Sequence, residues 1–108
     1  MNINIYTKNI SLDEPLKIFI EDKIGSLSKF IKGDAVSANV EIGKPSKHHR
    51  SGMIFRAEVN LKIGGQILRA ESTDLDLRVA ITEVKNELQR QIKKFKEKYA
   101  DLSRKTKK

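Results

Sequence analysis

The sequence predicts an α+β fold. It is a two-layer sandwich in which a four-stranded, mostly antiparallel sheet carries two helices on one face, in the order β-α-β-β-β-α. Three observations predict it. Residues 53–63 alternate, with Met53, Phe55, Ala57, Val59, Leu61 and Ile63 on one side and Ile54, Arg56, Glu58, Asn60 and Lys62 on the other. That is the period-2 pattern of a strand with one covered face. Gly64-Gly65 follows at once, and Ile67 to Thr73 returns, so two strands join through a two-residue hairpin in which both glycines are expected to take positive φ. The last third carries Leu77, Ile81, Val84, Leu88, Ile92, Phe95 and Tyr99 three or four residues apart, which is one apolar stripe of an α-helix. Clean alternation implies an antiparallel sheet with one covered and one wet face, and amphipathic helices supply the cover.

The remaining elements follow in order. Residues 2–7 alternate, with Ile3 and Ile5 inward and Asn2, Asn4 and Tyr6 outward, a half-buried first strand. Asp13 is suited to cap a helix whose first turn holds Glu14 and Pro15. Leu16, Ile20, Ile24, Leu27 and Ile31 form its buried stripe, and Gly33 marks its C-cap region. Residues 35–42 form a second strand, with Val36, Ala38, Val40 and Ile42 on its inner side. If Ile63 pairs with Gln66 across the hairpin, Leu61 faces Leu68 and Val59 faces Ala70. Asp74 or Asp76 starts the final helix. Low complexity is confined to the segment after Leu102, which reads as a basic disordered tail, residues 103–108, behind a single domain spanning 1–102.

Composition narrows the function classes. The chain has 108 residues, 22 Lys and Arg against 14 Asp and Glu, and a net charge of +8. That length supports one domain with a modest core. There is no Cys, which excludes a disulfide framework and a cysteine-based zinc site. No apolar run approaches the ~20 residues that cross a bilayer, and MNINIYTKN lacks the basic and apolar regions of a secretory signal. The expected location is the cytoplasm. A membrane-surface role is disfavoured, because the apolar stripe of the last helix lacks Trp and is needed for the core.

Charge is concentrated in two places. Between Lys93 and Lys108 stand eight Lys and Arg against only Glu97 and Asp101. Arg78, Lys85, Lys93 and Lys96 fall on a stripe beside the apolar one. A helix that packs one face on a core and turns a dense positive face outward suits a polyanion; the plainer reading is a solubilising face. The loop from Gly43 to Gly52 contains Lys44, Lys47 and Arg50 and no acid. It reads either as a soluble hairpin loop or as a basic finger that reaches phosphates. The adjacent His48 and His49 diverge in an extended loop and have no nearby Cys, Asp or Glu to complete a ligand set. They fit nucleotide contacts better than a metal.

Catalytic patterns are absent: there is no GxSxG, GxxxxGK[ST], GxGxxG or HExxH. Glu58 and Glu71 face each other on the outer sheet surface, but Arg56 and Arg69 share that face, so an ion-pair lattice is the expected arrangement. Tyr6 is a lone outer aromatic. The order helix-β-β-β-helix matches a double-stranded RNA-binding domain. That module places lysines at the start of its last helix, whereas here the start is Asp74-Leu75-Asp76, which suits the helix dipole and repels phosphate. No GxxG loop or aromatic-rich RNA-binding strand is present. No cofactor, metal or small-molecule substrate is implied, and no enzymatic activity.

Several stretches together carry a family resemblance: the element order and lengths, KIGSLSKF at the end of the first helix, the GG hairpin, and ILRAES followed by DLRVAITEVKNELQRQIKKFK. In these the chain resembles the ribosome hibernation factors, also called ribosome-associated inhibitors or sigma-54 modulation proteins, over nearly its whole length. It departs from their pattern at Arg78, where Tyr is usual, at Thr82 in place of Asp, at Glu87, where Lys is frequent, and at Ser26. The resemblance implies a translation inhibitor that occupies the messenger RNA and transfer RNA channel of the small ribosomal subunit, between head and body. It would keep ribosomes inactive in starvation or stationary phase, and be a monomer off the ribosome. The matching positions for ribosomal RNA contact are Lys23 and Lys29 on the first helix and Arg90, Lys93, Lys94 and Lys96 on the last. The charge reading adds Lys47, Arg50, Arg56 and Lys85. Long family members carry a further C-terminal domain that pairs ribosomes, and this chain is expected to be of the short type. The alternatives are a protein-binding modulator, in which the basic face docks an acidic protein surface, and a general duplex RNA binder.

Overall fold

A computed structural model describes residues 1–31, 36–45 and 54–106, with side chains as far as Lys98. Its elements are β1 (Asn2–Lys8), α1 (Glu14–Gly25) continued by a 3-10 helix (Ser26–Phe30), β2 (Val36–Gly43), β3 (Phe55–Ile63), β4 (Gln66–Asp74) and α2 (Leu77–Thr106). The four strands form one sheet in the order β1-β2-β3-β4. The two later pairings are antiparallel and β1 runs parallel to β2. A parallel pair needs a long crossover, and α1 supplies it. The hairpin register is the expected one, with Ile63 opposite Gln66, Leu61 opposite Leu68 and Val59 opposite Ala70.

The core lies between the sheet's inner face and the helices. Strands contribute Ala38, Val40, Ile42, Ala57, Val59, Leu61 and Ala70; α1 and its extension contribute Ile20, Ile24 and Leu27; α2 contributes Ala80, Ile81, Val84, Leu88 and Ile92. All are buried. Ile3, Ile5, Leu16, Val36, Leu68 and Leu77 close its margins.

Three local expectations are corrected. The first helix does not run to Ile31 as one α-helix. It tightens to 3-10 at Ser26, and Ile31 is extended at φ −118° and ψ 119°. Gly25, Ser26 and Ser28 are weak helix formers, and the Ser26 hydroxyl donates to the Lys23 carbonyl at 2.7 Å, a local bond that competes with the helical ladder. Gly33 lies outside the described residues. At the hairpin only Gly64 takes positive φ, at 57°. That is the pattern of a type II′ turn, which needs it at the first central position alone. At the C-terminus α2 continues as helix through residues 103–106, past the expected boundary at Leu102. Ser103-Arg104-Lys105-Thr106 contains neither Gly nor Pro, so the backbone has no reason to break there.

One further close approach shapes the sheet. The end of β2 meets the end of β1, where the Lys44 amide donates to the Lys8 carbonyl at 3.1 Å. A Cβ on Gly43 would stand 2.1 Å from that same oxygen, so the position excludes every other residue without a backbone shift.

Candidate nucleic-acid interface

The helices are fixed at their N-termini by aspartates. The Asp13 carboxylate accepts from the Leu16 amide at 2.9 Å, ahead of Pro15 in the first turn. At α2, Asp76 accepts from the Arg78 amide at 2.9 Å, and Asp74 accepts from the Asp76 amide at 2.9 Å. Each cap satisfies orphan donors and places negative charge at the positive end of a helix dipole. α2 is thus pinned at the start, and its 30 residues give a rod of about 45 Å. The nine-residue strands of the hairpin reach only about 30 Å. The last turns of α2 therefore run past the sheet, which accounts for a longest dimension of 59 Å against 26 and 19 Å.

α1 and α2 run side by side in the same direction. The Phe19 ring of α1 lies beneath the Arg78 guanidinium at 4.9 Å, and eleven residues on, Phe30 shares a hollow with Ile92 of α2. Lys23 stands over the same Phe19 ring at 5.7 Å, and Lys29 over Phe30 at 5.3 Å. These contacts hold the cationic heads at the outer rim of the interhelical seam while their stems cover apolar surface. On α2, Arg78, Lys85, Gln89, Lys93 and Lys96 follow one another at three, four or seven residues, so they face the same seam. Lys85 Nζ donates to Gln89 Oε1 at 2.9 Å. The result is a cationic band that starts at Arg78 and Lys23, passes Lys85 and ends at Lys29, Lys93 and Lys96.

The lower end of the band is concave. A hollow of about 450 Å³ opens between the 3-10 helix and α2. Phe30 and Ile92 form its apolar wall, Asn86 and Gln89 bring amides, and Arg90, Lys93 and Lys96 bring positive charge against a single rim acid, Glu97. Arg90 pairs with Glu87 at 3.2 Å, the Arg90 side chain being largely and the Glu87 side chain partly exposed. Such a pair contributes ~0–1 kcal/mol and exchanges partners readily.

The other expected contact residues lie elsewhere. Lys94 is exposed, but it lies about 100° around the helix from Lys93. Its flank includes Glu83, which accepts from Ser72 of β4 at 2.9 Å, and Gln91, which donates to the Arg69 carbonyl at 2.9 Å. Arg56 is on the opposite side of the sheet from the helices. There the expected ion-pair lattice is present: Arg56 binds Glu58 at 2.9 Å and also Glu71, while Arg69 Nε donates to Glu58 at 3.0 Å. Arg56 is thus held by two carboxylates, and its hydrogen bond to Glu71 is the main cause that raises its pKa further above the ordinary value. Glu58 is only 7% exposed, on the face expected to be wet. Burial pushes its pKa up, but the two guanidiniums outweigh that and hold it below the usual carboxylate value. Lys47 and Arg50, with His48 and His49, lie outside the described residues.

Sequence reasoning missed Phe30, Asn86 and Gln89 as groove residues. Gln89 was legible, one helical turn from both Lys85 and Lys93. Phe30 was not, since its position depends on the change to 3-10 geometry after Gly25. Lys8 and Lys44 were missed as neighbours of Arg56 around a separate hollow of about 260 Å³, because the parallel register that joins them is not written in either strand alone. Among the described residues, no three side chains of metal-binding type cluster, and no helix is long and apolar enough to cross a membrane.

The described residues thus form a two-layer α+β module whose helix layer carries a cationic seam between two parallel helices. Residues 3–100 match the family described as sigma 54 modulation protein / S30EA ribosomal protein, and the chain belongs to that family. It is 34% identical over 97 residues to the ribosome hibernation promotion factor of Lactococcus lactis subsp. cremoris, covering 89% of this chain and 50% of that protein. Against the factor of the same name from Deinococcus radiodurans it is 30% identical over 95 residues, covering 85% and 47%. The chain therefore spans about half the length of the curated relatives it matches. Among solved structures, the N-terminal domain of Thermus thermophilus Protein Y superposes with a TM-score of 0.76 at 27% identity, covering 88% of this chain and 99% of that one. A ribosomal subunit interface protein from Coxiella burnetii shares the fold, with a TM-score of 0.72 at 17% identity, covering 89% and 98%.

Proposed function

We propose that this chain is a ribosome-binding translation inhibitor of the cytoplasm. In this reading its helix layer docks against ribosomal RNA of the small subunit, in the channel that messenger RNA and transfer RNA use. The observation that carries the reading is the convergence of Lys23 and Lys29 with Arg78, Lys85, Lys93 and Lys96 along one interhelical seam. Phosphates are bound by such arrays through charge and counterion release. The names of the relatives support the same target, since hibernation promotion is the role their names print. The mechanism is steric. A packed sheet and two capped helices form a stiff wedge that excludes other occupants of the site, and inhibition needs no bond to be made or broken.

The test is competition. Saturating protein is added to purified small subunits, and the affinity of labelled initiator transfer RNA is measured. The transfer RNA is expected to be displaced, and translation in a cell-free system to stop without nucleotide hydrolysis or RNA cleavage. The triple variant Arg90→Glu/Lys93→Glu/Lys96→Glu should lose both effects while keeping its helical content, since Glu is as good a helix former as Lys or Arg. Transfer RNA entering at full affinity beside bound protein would refute occlusion and favour the protein-docking alternative.

A further inference from the structure

The hollow at the lower end of the seam has more than charge. A duplex presents phosphates and sugar hydroxyls along its outer surface and keeps its base faces stacked inside. Lys29, Lys93 and Lys96 alone would serve such a target, and an aromatic wall beside them would go unused. Here Phe30 and Ile92 line a concavity of about 450 Å³, next to Asn86, Arg90 and Lys93. That volume is in the range of hollows that enclose small organic ligands, ~300–1,000 Å³. The Lys29 ammonium lies over the Phe30 ring at 5.3 Å. Lys29 is exposed on a flexible stem, so it can swing to a phosphate and free the ring.

We infer that this hollow is a subsite for one unpaired nucleotide of an RNA strand, its base stacked on Phe30 and its flanking phosphates held by Arg90, Lys93 and Lys96. The inference rests on the ribosomal RNA reading above and names the kind of RNA element that reading needs: a bulged or looped-out residue rather than a continuous helix. The pieces have separate roles. The Phe30 ring supplies apolar contact for a base face, which every base possesses, with the buried Ile92 beneath it as the floor of the hollow. Asn86 offers an amide donor and acceptor to a base edge. Arg90 leaves its exposed pair with Glu87 for a phosphate, which it binds in bidentate fashion. Glu97 on the rim repels phosphate on its own side and so favours a strand path toward Lys29 and Lys93.

The chain contains no Trp, which makes Phe30→Trp a reporter at the proposed stacking position. The full chain carrying Phe30→Trp is titrated with a single-stranded RNA octamer, with the same octamer annealed to its complement, and with adenosine monophosphate. Quenching of Trp emission by the single strand, and not by the duplex, is the expected result. In parallel, Phe30→Leu should weaken octamer binding by about 5- to 150-fold, the range expected when one base loses its aromatic platform. It should leave the salt dependence unchanged, because the ring carries no charge, whereas Lys93→Ala should weaken binding and also flatten the salt dependence. Phe30 is half-buried, so circular dichroism melting of Phe30→Leu accompanies the titration, and Phe30→Trp keeps the question open to refutation if the leucine variant unfolds. Trp emission unaffected by the single strand, or quenched equally by the duplex, overturns the subsite. Quenching by adenosine monophosphate at the octamer's concentration reassigns the hollow to a free nucleotide and overturns the strand assignment. Failure of the ribosome reading shows separately, as unimpeded transfer RNA entry in the competition assay, and does not alter these titrations.

Discussion

Glu58 shows how much a single side chain can depend on its neighbours' charges. It sits on the outer sheet face, directly across from Glu71 on β4 and Glu41 on β2, a row of three carboxylates in register. Like charges facing across strands destabilise a sheet, so the row requires Arg56 and Arg69 close by on the same face. Their guanidiniums both bind Glu58, which is buried among them. The folded-state pKa of Glu58 lies below its unfolded value. The associated stability is therefore complete above the ordinary Glu range, at pH ~4.3, and is lost as pH falls through that range toward the folded value. Glu58→Gln keeps the shape and removes the charge. Because Arg56 and Arg69 are partly exposed, at 34% and 61%, the expected cost at neutral pH is modest, about 1–2 kcal/mol. Each kcal/mol lowers the melting temperature by ~4–8 °C in a domain of this size. Melting curves of both proteins from pH 7 to pH 3 should draw together toward the acid end, because the unfolded chain takes up a proton there that folded Glu58 resists. A gap that persists unchanged at pH 3 would show that shape, not charge, accounts for the loss.

At the scale of elements, legibility followed sequence range. The pairing register of β3 and β4 was readable, because strict alternation fixes which face is buried and a two-residue turn fixes the register; the strand ends and the turn type were not. α2 was readable from its apolar period, and its start from Asp74 and Asp76. The end of α1 was not, since the outcome depended on whether one serine hydroxyl would take a carbonyl from the helical ladder. The parallel pairing of β1 with β2 was not readable either: it is a long-range choice, made by where α1 packs and permitted at its closing contact by Gly43. Of the candidate site, the cations on α2 could be seen by counting in threes and fours. The hollow could not, because it forms only where Phe30 meets Ile92 across two elements. α2 also carries most of the helix layer's burial on the sheet, through Ala80, Ile81, Val84, Leu88 and Ile92. Leu88 lies toward the middle of that row and is fully buried. Leu88→Ala is expected to cost about 2–5 kcal/mol through lost burial and a residual cavity, measured by urea denaturation. A cost under ~1 kcal/mol, far below that range, would mean that α2 is not packed on the sheet as described.

The whole molecule is electrically two-sided. Its net charge is +8, yet the positive side chains are not spread evenly. The helix layer gathers Lys23, Lys29, Arg78, Lys85, Lys93 and Lys96 along one seam. The outer sheet face instead sets Arg56 and Arg69 against Glu41, Glu58 and Glu71, so that the arginines on that face are consumed locally. If attraction to RNA came from net charge alone, any lysine would serve equally. If it comes from a contact surface, position matters, because at physiological salt the Debye length is ~8 Å and a charge on the far face is screened from phosphates docked at the seam. Lys62 and Lys93 separate the two cases. Both are exposed; Lys62 alternates outward from β3 on the sheet face, and Lys93 lines the groove. Lys62→Glu and Lys93→Glu change the net charge by the same amount. Binding to small subunits is measured for each across a series of salt concentrations. Lys93→Glu should weaken binding strongly and flatten the log–log salt slope, by roughly 0.7–0.9 for each phosphate no longer neutralised, as on simple nucleic acids. Lys62→Glu should leave the slope unchanged and shift affinity only slightly. Equal effects of the two substitutions would mean that the protein is held by diffuse attraction in no fixed orientation, and a wedge without a fixed orientation cannot occlude a defined channel.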